Sequence, residues 1–302
     1  MKFAAVIVTY NRLKLLKEVI TSFENQTRKP DYMIVVDNAS NDGTDIFLQN
    51  WEKADVDGID KMRIRTPQNL GGSGGFFMGT QKAIELDVDW VWVSDDDAIP
   101  AKDVFKKAEE HIADCKDINT VSAICTSVYV NGKICTSNRN RRIMKFSHME
   151  LQDIENMEYE KEAFNCDNFS YVGVFIKKDV LKKVGLINKD YFIWRDDVEH
   201  SWRVSEAGRI ICYPDMIVDH RANSNDYAGT SWKTYYGYRN DIIMLRAHKQ
   251  YIYVMTKVLA ALRQALNAKS KAERKMYLRS VISGLKNEKG LSDNYLPGTR
   301  IE

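Results

Sequence analysis

Four short runs of apolar or β-branched residues, at 3–8, 32–36, 62–66 and 90–94, are each followed by a polar or glycine-bearing turn and then by a helical pattern. The first helix, over 13–25, carries Leu15, Leu16, Val19, Ile20 and Phe23 at helical spacing, and the second, over 44–52, follows the turn Asp42-Gly43. Apolar runs that do not alternate with polar residues are strands buried on both faces. Strands of that kind separated by helices pack as a mostly parallel sheet flanked by helices. The pattern therefore predicts an α/β fold whose loops at the carboxyl ends of the strands gather around one crevice.

Residues 120–129 read as a further strand, and Val130-Asn131-Gly132-Lys133 favours a tight hairpin turn. Residues 171–176 and 209–213 are two more buried strands. A helix over 198–207 lies between them, and Gly208 is expected to stop it in a left-handed conformation. Between 138 and 165 the periodicity fades. Arg139, Arg141 and Arg142, followed by an acidic stretch, read as a long mobile excursion near a site.

With 302 residues and 44% apolar content the chain can bury a full core, as one large domain or as a domain with an appendage. Its charge is divided unevenly. The net +2 conceals 14 Lys and Arg against 5 Asp and Glu from Ser231 onward, and 30 against 37 before it. The expected division is a main domain over 1–230 and a basic helical region over 231–302, with helices at 251–266 and 271–285. Their interleaved cationic and apolar residues suit the surface of an anionic membrane. They suit somewhat better a helical unit that packs its apolar stripe on the core or on a second subunit, giving a homo-oligomer. No run of 18 uncharged apolar residues occurs and the first strand begins at Phe3, so the expected location is the cytoplasm, peripheral to the membrane if the basic helices meet lipid. Five cysteines without CxxC spacing read as reduced core residues.

Polar clusters end the strands. Thr9-Tyr10-Asn11-Arg12 follows the first, Asp37-Asn38-Ala39-Ser40 the second, Asn69 with the run Gly71-Gly72-Ser73-Gly74-Gly75 the third, and Asp95-Asp96-Asp97 the fourth. Adjacent carboxylates repel and resist burial, so a folded chain keeps such a triplet solvated, here as a turn opening the helix signalled by Pro100 and Asp103, or neutralises it with a cation. Oxygen ligands of this kind suit Mg or Mn. The glycine run matches neither GxGxxG nor GxxxxGK[ST] and reads as a loop that a ligand can approach closely. A second acidic group, Asp196, Asp197 and Glu199, opens a helix after the aromatic lead-in Tyr191-Phe192-Ile193-Trp194. Acids at a helix start are ordinary, yet apolar surroundings raise a carboxylate's basicity toward that of a proton acceptor. His220, at the end of a predicted strand, is either structural or the completion of a metal shell.

Taken in order, Val8-Thr9-Tyr10-Asn11-Arg12, Val35-Val36-Asp37-Asn38-Ala39-Ser40, Asn69 to Phe76, Asp95 to Ala98 and Asp196 to Arg203 resemble the signatures of family 2 glycosyltransferases. The resemblance covers roughly residues 3–248 and is nearest to bacterial galactofuranosyltransferases, with Arg195 beside the acidic pair as a departure. It implies the GT-A fold, Rossmann-like, with a C-terminal helical appendage. Thr9, Tyr10, Arg12, Asp37, Asn69, Gly71, Gly72, Gly74, Gly75, Asp96 and Trp194 would bind a nucleotide-sugar and its acceptor. Asp95, Asp97 and His220 would hold Mn or Mg. Asp197, with Asp196 beside it, would be the general base of an inverting transfer from a UDP-sugar, galactofuranose foremost, to a saccharide or lipid-linked glycan. Alternatives are a rhamnosyltransferase using dTDP-rhamnose, a nucleotidyltransferase or sugar-nucleotide hydrolase, and a non-catalytic nucleotide-binding scaffold. Acidic clusters in the crevice argue against nucleic acid as a partner.

Overall fold

The computed structural model describes residues 1–56, 58–221 and 230–301. Strands β1 (Phe3–Thr9), β2 (Tyr32–Asp37), β3 (Asp60–Arg65) and β4 (Trp90–Asp95) alternate with helices α1 (Leu13–Glu24), α2 (Thr44–Lys53) and α3 (Gly71–Glu85). The order β4-β1-β2-β3 is parallel throughout. In β1 the side chains of Phe3, Ala5 and Ile7 enter one core cluster and those of Ala4, Val6 and Val8 the other. Strands β1, β2 and β4 are thus buried on both faces, which is why their sequences show no alternation, whereas β3 at the sheet edge is only partly buried.

After β4 the chain forms β5 (Ala98–Pro100), α4 (Val104–Asp114), β6 (Val121–Val130), β7 (Lys133–Ile134), β8 (Arg139–Met144), β9 (Met149–Asp153), β10 (Phe164–Cys166) and β11 (Asn168–Phe169). It continues with β12 (Val172–Lys177), α5 (Lys178–Val184), α6 (Asp196–Ala207) and β13 (Arg209–His220). The large sheet reads β10-β13-β6-β12-β4-β1-β2-β3, and β12 runs antiparallel to both β4 and β6. The β6–β7 hairpin turns through Asn131 and Gly132, both at positive φ (51° and 75°). Because β1 lies between β4 and β2, the connections depart in opposite directions there, which opens a ligand crevice at the carboxyl ends.

Three expectations are corrected. Residues 138–165 are no mobile excursion: β8 and β9 pair as a hairpin and join β11 in a second sheet of three strands, while β10 edges the large sheet. The signal was hidden because Arg139 behaves as a core residue. It is wholly buried and donates to the carbonyls of Thr126, Val172 and Gly173 at 3.1, 2.9 and 2.9 Å. The glycine run is no loop either, since Gly71 to Gly75 form the first turns of α3. A Cβ on Gly75 would stand 2.4 Å from Val8 Cγ1, so the glycines bring this helix onto the sheet. Gly208 ends α6 in an extended conformation, φ 167°, and is required because a Cβ there would lie 2.5 Å from the Thr120 carbonyl oxygen.

The chain ends in α7 (Trp232–Ala247), α8 (Tyr251–Leu266) and α9 (Lys271–Leu285). A capping box from Ser231 and Thr234 starts α7. Ile242, Met244 and Leu245 share a core cluster with Tyr191, Val198 and Trp202, so these helices pack onto the segment that leads into α6. Among the described residues no helix is long and apolar enough to cross a membrane.

Candidate active site

On the donor side, β1 delivers Thr9 and the following turn delivers Arg12. Thr9 Oγ1 donates to Asp96 Oδ2 at 2.6 Å, and Arg12 Nη1 donates to Asp96 Oδ1 (3.2 Å) and Asp97 Oδ2 (2.7 Å). Tyr10 stays 40% exposed, open to a flat ring. Asp37, at the end of β2, already accepts from the Ser40 amide on Oδ1 (2.9 Å) and from Arg65 Nη1 on Oδ2 (2.6 Å). A base bound here would share Asp37 with Arg65, a residue the sequence did not single out.

Asn38 also escaped notice except as a turn residue. Buried, it donates from Nδ2 to the Gly71 carbonyl (2.7 Å) and accepts on Oδ1 from the Leu70 amide (3.1 Å), joining the end of β2 to the start of α3. Asn69 Oδ1 accepts from the Gly71 amide at 2.8 Å, so Asn69 shapes the turn into the helix. Gly71 sits at φ 73°, and a Cβ there would come within 1.9 Å of the Phe192 carbonyl oxygen. Gly71, and Ser73 whose amide donates to the same carbonyl at 3.3 Å, therefore tie the donor-side helix to the segment before α6.

That segment is strained. Phe192, Trp194 and Arg195 all have positive φ (67°, 64° and 73°), unusual for residues with a Cβ. Asn240 of α7 holds it: its Nδ2 lies 3.0, 2.9 and 2.8 Å from the carbonyls of Tyr191, Ile193 and Trp194. Arg195 Nε pairs with Asp241 Oδ1 at 2.7 Å, and Lys257 with the other oxygen at 2.9 Å. One sign of this clamp is visible in the chain, the polar trio Arg239-Asn240-Asp241 directly before the apolar run Ile242-Ile243-Met244.

Asp196 and Asp197 occupy the first turn of α6. Burial, and then the neighbouring Asp197, push Asp196 up to about 8. Burial also raises Asp197, against the Val198 amide that donates to its Oδ1 at 2.7 Å. Across the crevice, burial followed by Asp97 and Asp96 raises Asp95 well above the ordinary carboxylate range, and Asp196 adds to that shift. The two acidic groups, about 100 positions apart in sequence, thus lie within electrostatic reach of one another. Tyr171 spans the gap: its carbonyl accepts from the Asp95 amide (3.1 Å), and its hydroxyl bonds His200 Nδ1 of α6 (2.8 Å).

His220 reaches the triplet through strand pairing. β5 lies antiparallel to the end of β13 with His220 opposite Ala98, and His220 Nε2 stands 3.3 Å from Asp97 Oδ1. Burial would raise Asp97, but His220 and Arg12 outweigh it and hold the carboxyl below its usual value. Asp96, buried more deeply, is pushed up to about 6 despite Arg12 and Thr9. Among the described residues no three His, Cys, Asp or Glu side chains form a ready-made metal cluster. Two features nevertheless suit a hard cation: Asp97 Oδ1 is buried with only the long 3.3 Å approach of His220 Nε2 beside it, and burial with the neighbouring Asp97 and Asp96 raises Asp95 well above the ordinary carboxylate range.

A mostly parallel sheet flanked by helices, with one acidic group at the end of β4 and another in the first turn of α6, defines a class. The chain belongs to glycosyl transferase family 2, whose family model matches residues 4–184. It is 27% identical over 204 residues to galactofuranosyltransferase GlfT1 of Mycolicibacterium smegmatis, covering 68% of this chain and 65% of that protein. GlfT1 of Mycobacterium tuberculosis is 26% identical over 217 residues, covering 68% and 64%. The chain thus spans just under two thirds of these relatives' length. Among solved structures, S. aureus TarS 1-349 in complex with UDP-GlcNAc superposes at TM-score 0.61 with 16% identity, covering 95% of this chain and 82% of that one. The mannosyltransferase PcManGT from Pyrobaculum calidifontis, in complex with GDP-Man and Mn2+, superposes at 0.58 with 15% identity, covering 95% and 88%. At such identities the likeness is one of fold, and the fold is GT-A.

Proposed function

We propose that this chain is an inverting glycosyltransferase that moves galactofuranose from UDP-galactofuranose to a hydroxyl of a surface polysaccharide or lipid-linked glycan. What supports the reading is membership of the family together with the bridge through Tyr171, which bonds the Asp95 amide at one end and His200 of α6 at the other and so links the Asp95–97 and Asp196–197 segments. Residues 1–230 would supply the donor site and both acidic walls, and 231–302 the buttress behind the second wall.

Thr9, Tyr10, Arg12 and Asp37 line the nucleotide end, with Tyr10 free to stack on the base. Asp95, Asp97 and His220 would hold Mn or Mg, which supplies positive charge against the diphosphate leaving group. Asp96, fixed by Thr9 and Arg12, faces the donor sugar. On the other wall, Trp194 offers an aromatic face to an acceptor ring. Asp197 takes the proton from the acceptor hydroxyl as that oxygen bonds to the anomeric carbon. The bond from that carbon to the diphosphate breaks on the opposite face, and UDP departs with the electron pair. Asp196, protonated at neutral pH, keeps a second negative charge away from its neighbour. Similarity to the GlfT1 proteins supports galactofuranose as the sugar.

The test is a donor screen. UDP-galactofuranose, UDP-galactopyranose, UDP-glucose and dTDP-rhamnose are compared for thermal stabilisation with Mn and for transfer to oligosaccharide acceptors. Preferential stabilisation and UDP release with UDP-galactofuranose are expected. A response to dTDP-rhamnose alone would overturn the donor, release of pyrophosphate would overturn the reaction, and UDP binding without turnover over many acceptors would leave a scaffold.

A further inference from the structure

Among the described residues, 18 large apolar side chains remain exposed, and 11 of them lie between Tyr251 and Leu296. On α8 they are Tyr251, Ile252, Met255, Leu259, Leu262 and Leu266, from 39% to 76% exposed. At about 100° per residue, these six fall within an arc of roughly 100° along a helix about 24 Å long. The buried side of the same helix is a separate stripe, Val254, Ala261 and Ala265. The apolar residues that suggested packing from the sequence therefore divide in two. One stripe packs inward, and the other stays largely exposed. A contiguous apolar band of this length is larger than the scattered exposed residues of an ordinary surface, and marks a docking face.

The surrounding charge identifies what the face meets. Helix α9, packed beside α8, exposes Leu278, Ile282 and Leu285 among Lys271, Arg274, Lys275, Arg279 and Lys286. Helix α8 contains no acid at all, and the single acid of α9, Glu273, is engaged by the Thr230 hydroxyl and the Lys269 amide at 2.9 and 2.8 Å. A twofold contact with a second copy would set these cations against one another. An anionic bilayer satisfies both features, taking the apolar side chains below its headgroups and pairing the cations with lipid phosphates.

We propose that the α8–α9 hairpin is a monotopic docking surface for an anionic phospholipid bilayer, with the six α8 residues as the inserted face. The proposal is independent of the donor assignment. Helix α7 packs against both helices and holds the segment 191–195, so docking would fix the acceptor wall of the crevice relative to the lipid surface.

The test is sedimentation of the full chain with vesicles of phosphatidylglycerol and phosphatidylcholine, against vesicles of phosphatidylcholine alone. Binding is expected only to the anionic vesicles and should weaken as salt rises. The triple variant Met255→Ser, Leu259→Ser, Leu266→Ser should lose at least about tenfold in affinity. Arg274→Gln, Lys275→Gln and Arg279→Gln should each cost roughly fivefold. Every substituted residue is exposed, so an unchanged Tm accompanies these losses. Failure of the native chain to bind anionic vesicles, or binding unaltered by the triple substitution, would overturn the proposal. So would a dimer in sedimentation velocity that the triple substitution dissociates, which would assign the face to a second copy.

Discussion

Asn240→Ala removes the side chain that holds the strained segment before Asp196 and Asp197, and its effect can be estimated bond by bond. Asn240 is wholly buried and lies within hydrogen-bond reach of three carbonyls, those of Tyr191, Ile193 and Trp194. The Tyr191 carbonyl keeps a second donor, Arg239 Nη2 at 2.9 Å, so two carbonyls lose their partner. A buried acceptor left unpaired costs about 1–3 kcal/mol. Ile193 and Trp194 are only half-buried, and water can relieve part of that, so the net loss of stability should be about 2–3 kcal/mol. Phe192, Trp194 and Arg195 at positive φ each store roughly 1 kcal/mol or more, which favours relaxation once the clamp is gone. The donor wall is held by other bonds. The variant should therefore show kcat lower by about tenfold to a hundredfold with a donor KM within about threefold of the native value. Denaturant unfolding and steady-state kinetics at saturating acceptor measure both quantities. Loss of stability with native kcat, or a donor KM that rises in step with the fall in kcat, would refute the clamp as a positioning device.

Other outcomes follow from the same geometry. Gly71→Ala should cost more than about 3 kcal/mol or displace residues 191–195, because its Cβ has no room beside the Phe192 carbonyl and its φ is positive; a native Tm would contradict this. Burial lowers His200 to about 3, so the folded state takes up its proton less readily than the unfolded one. Its contribution is complete above about pH 6.5 and lost as pH falls toward 3, a change of about 3–5 kcal/mol. His200→Asn should flatten the fall in Tm between pH 7 and 4 relative to the native chain. Asp196, raised to about 8, carries the opposite sign: its contribution is complete below about pH 4 and lost as pH rises through 8. Asp196→Asn should accordingly raise Tm at pH 8 in the absence of metal, and an unchanged Tm there would remove the buried-proton account.

The parallel half of the sheet could be read from the chain because strands buried on both faces leave uninterrupted apolar runs, and β1, β2 and β4 obey that rule. The acidic groups could be read because carboxylates beside Trp92 and Trp194 conflict with their surroundings. Three features were hidden for physical reasons. Arg139 satisfies its guanidinium with carbonyls, so a core position looked like a surface cation. The glycines after Asn69 serve a close approach of helix and sheet that only tertiary structure reveals. Asn240 and Asp241 act on residues more than 40 positions away, and no local pattern reports a contact of that separation.

The central claim, that one acidic group serves the donor and the other takes the proton, is tested most directly by Asp197→Asn in paired measurements of UDP-galactofuranose affinity with Mn and of turnover. The variant should bind the donor within about threefold of the native chain and lose turnover by about a hundredfold to ten-thousandfold. Native turnover in the variant, or a loss of donor affinity as large as the loss of turnover, would contradict the division of labour between Asp95–97 and Asp196–197.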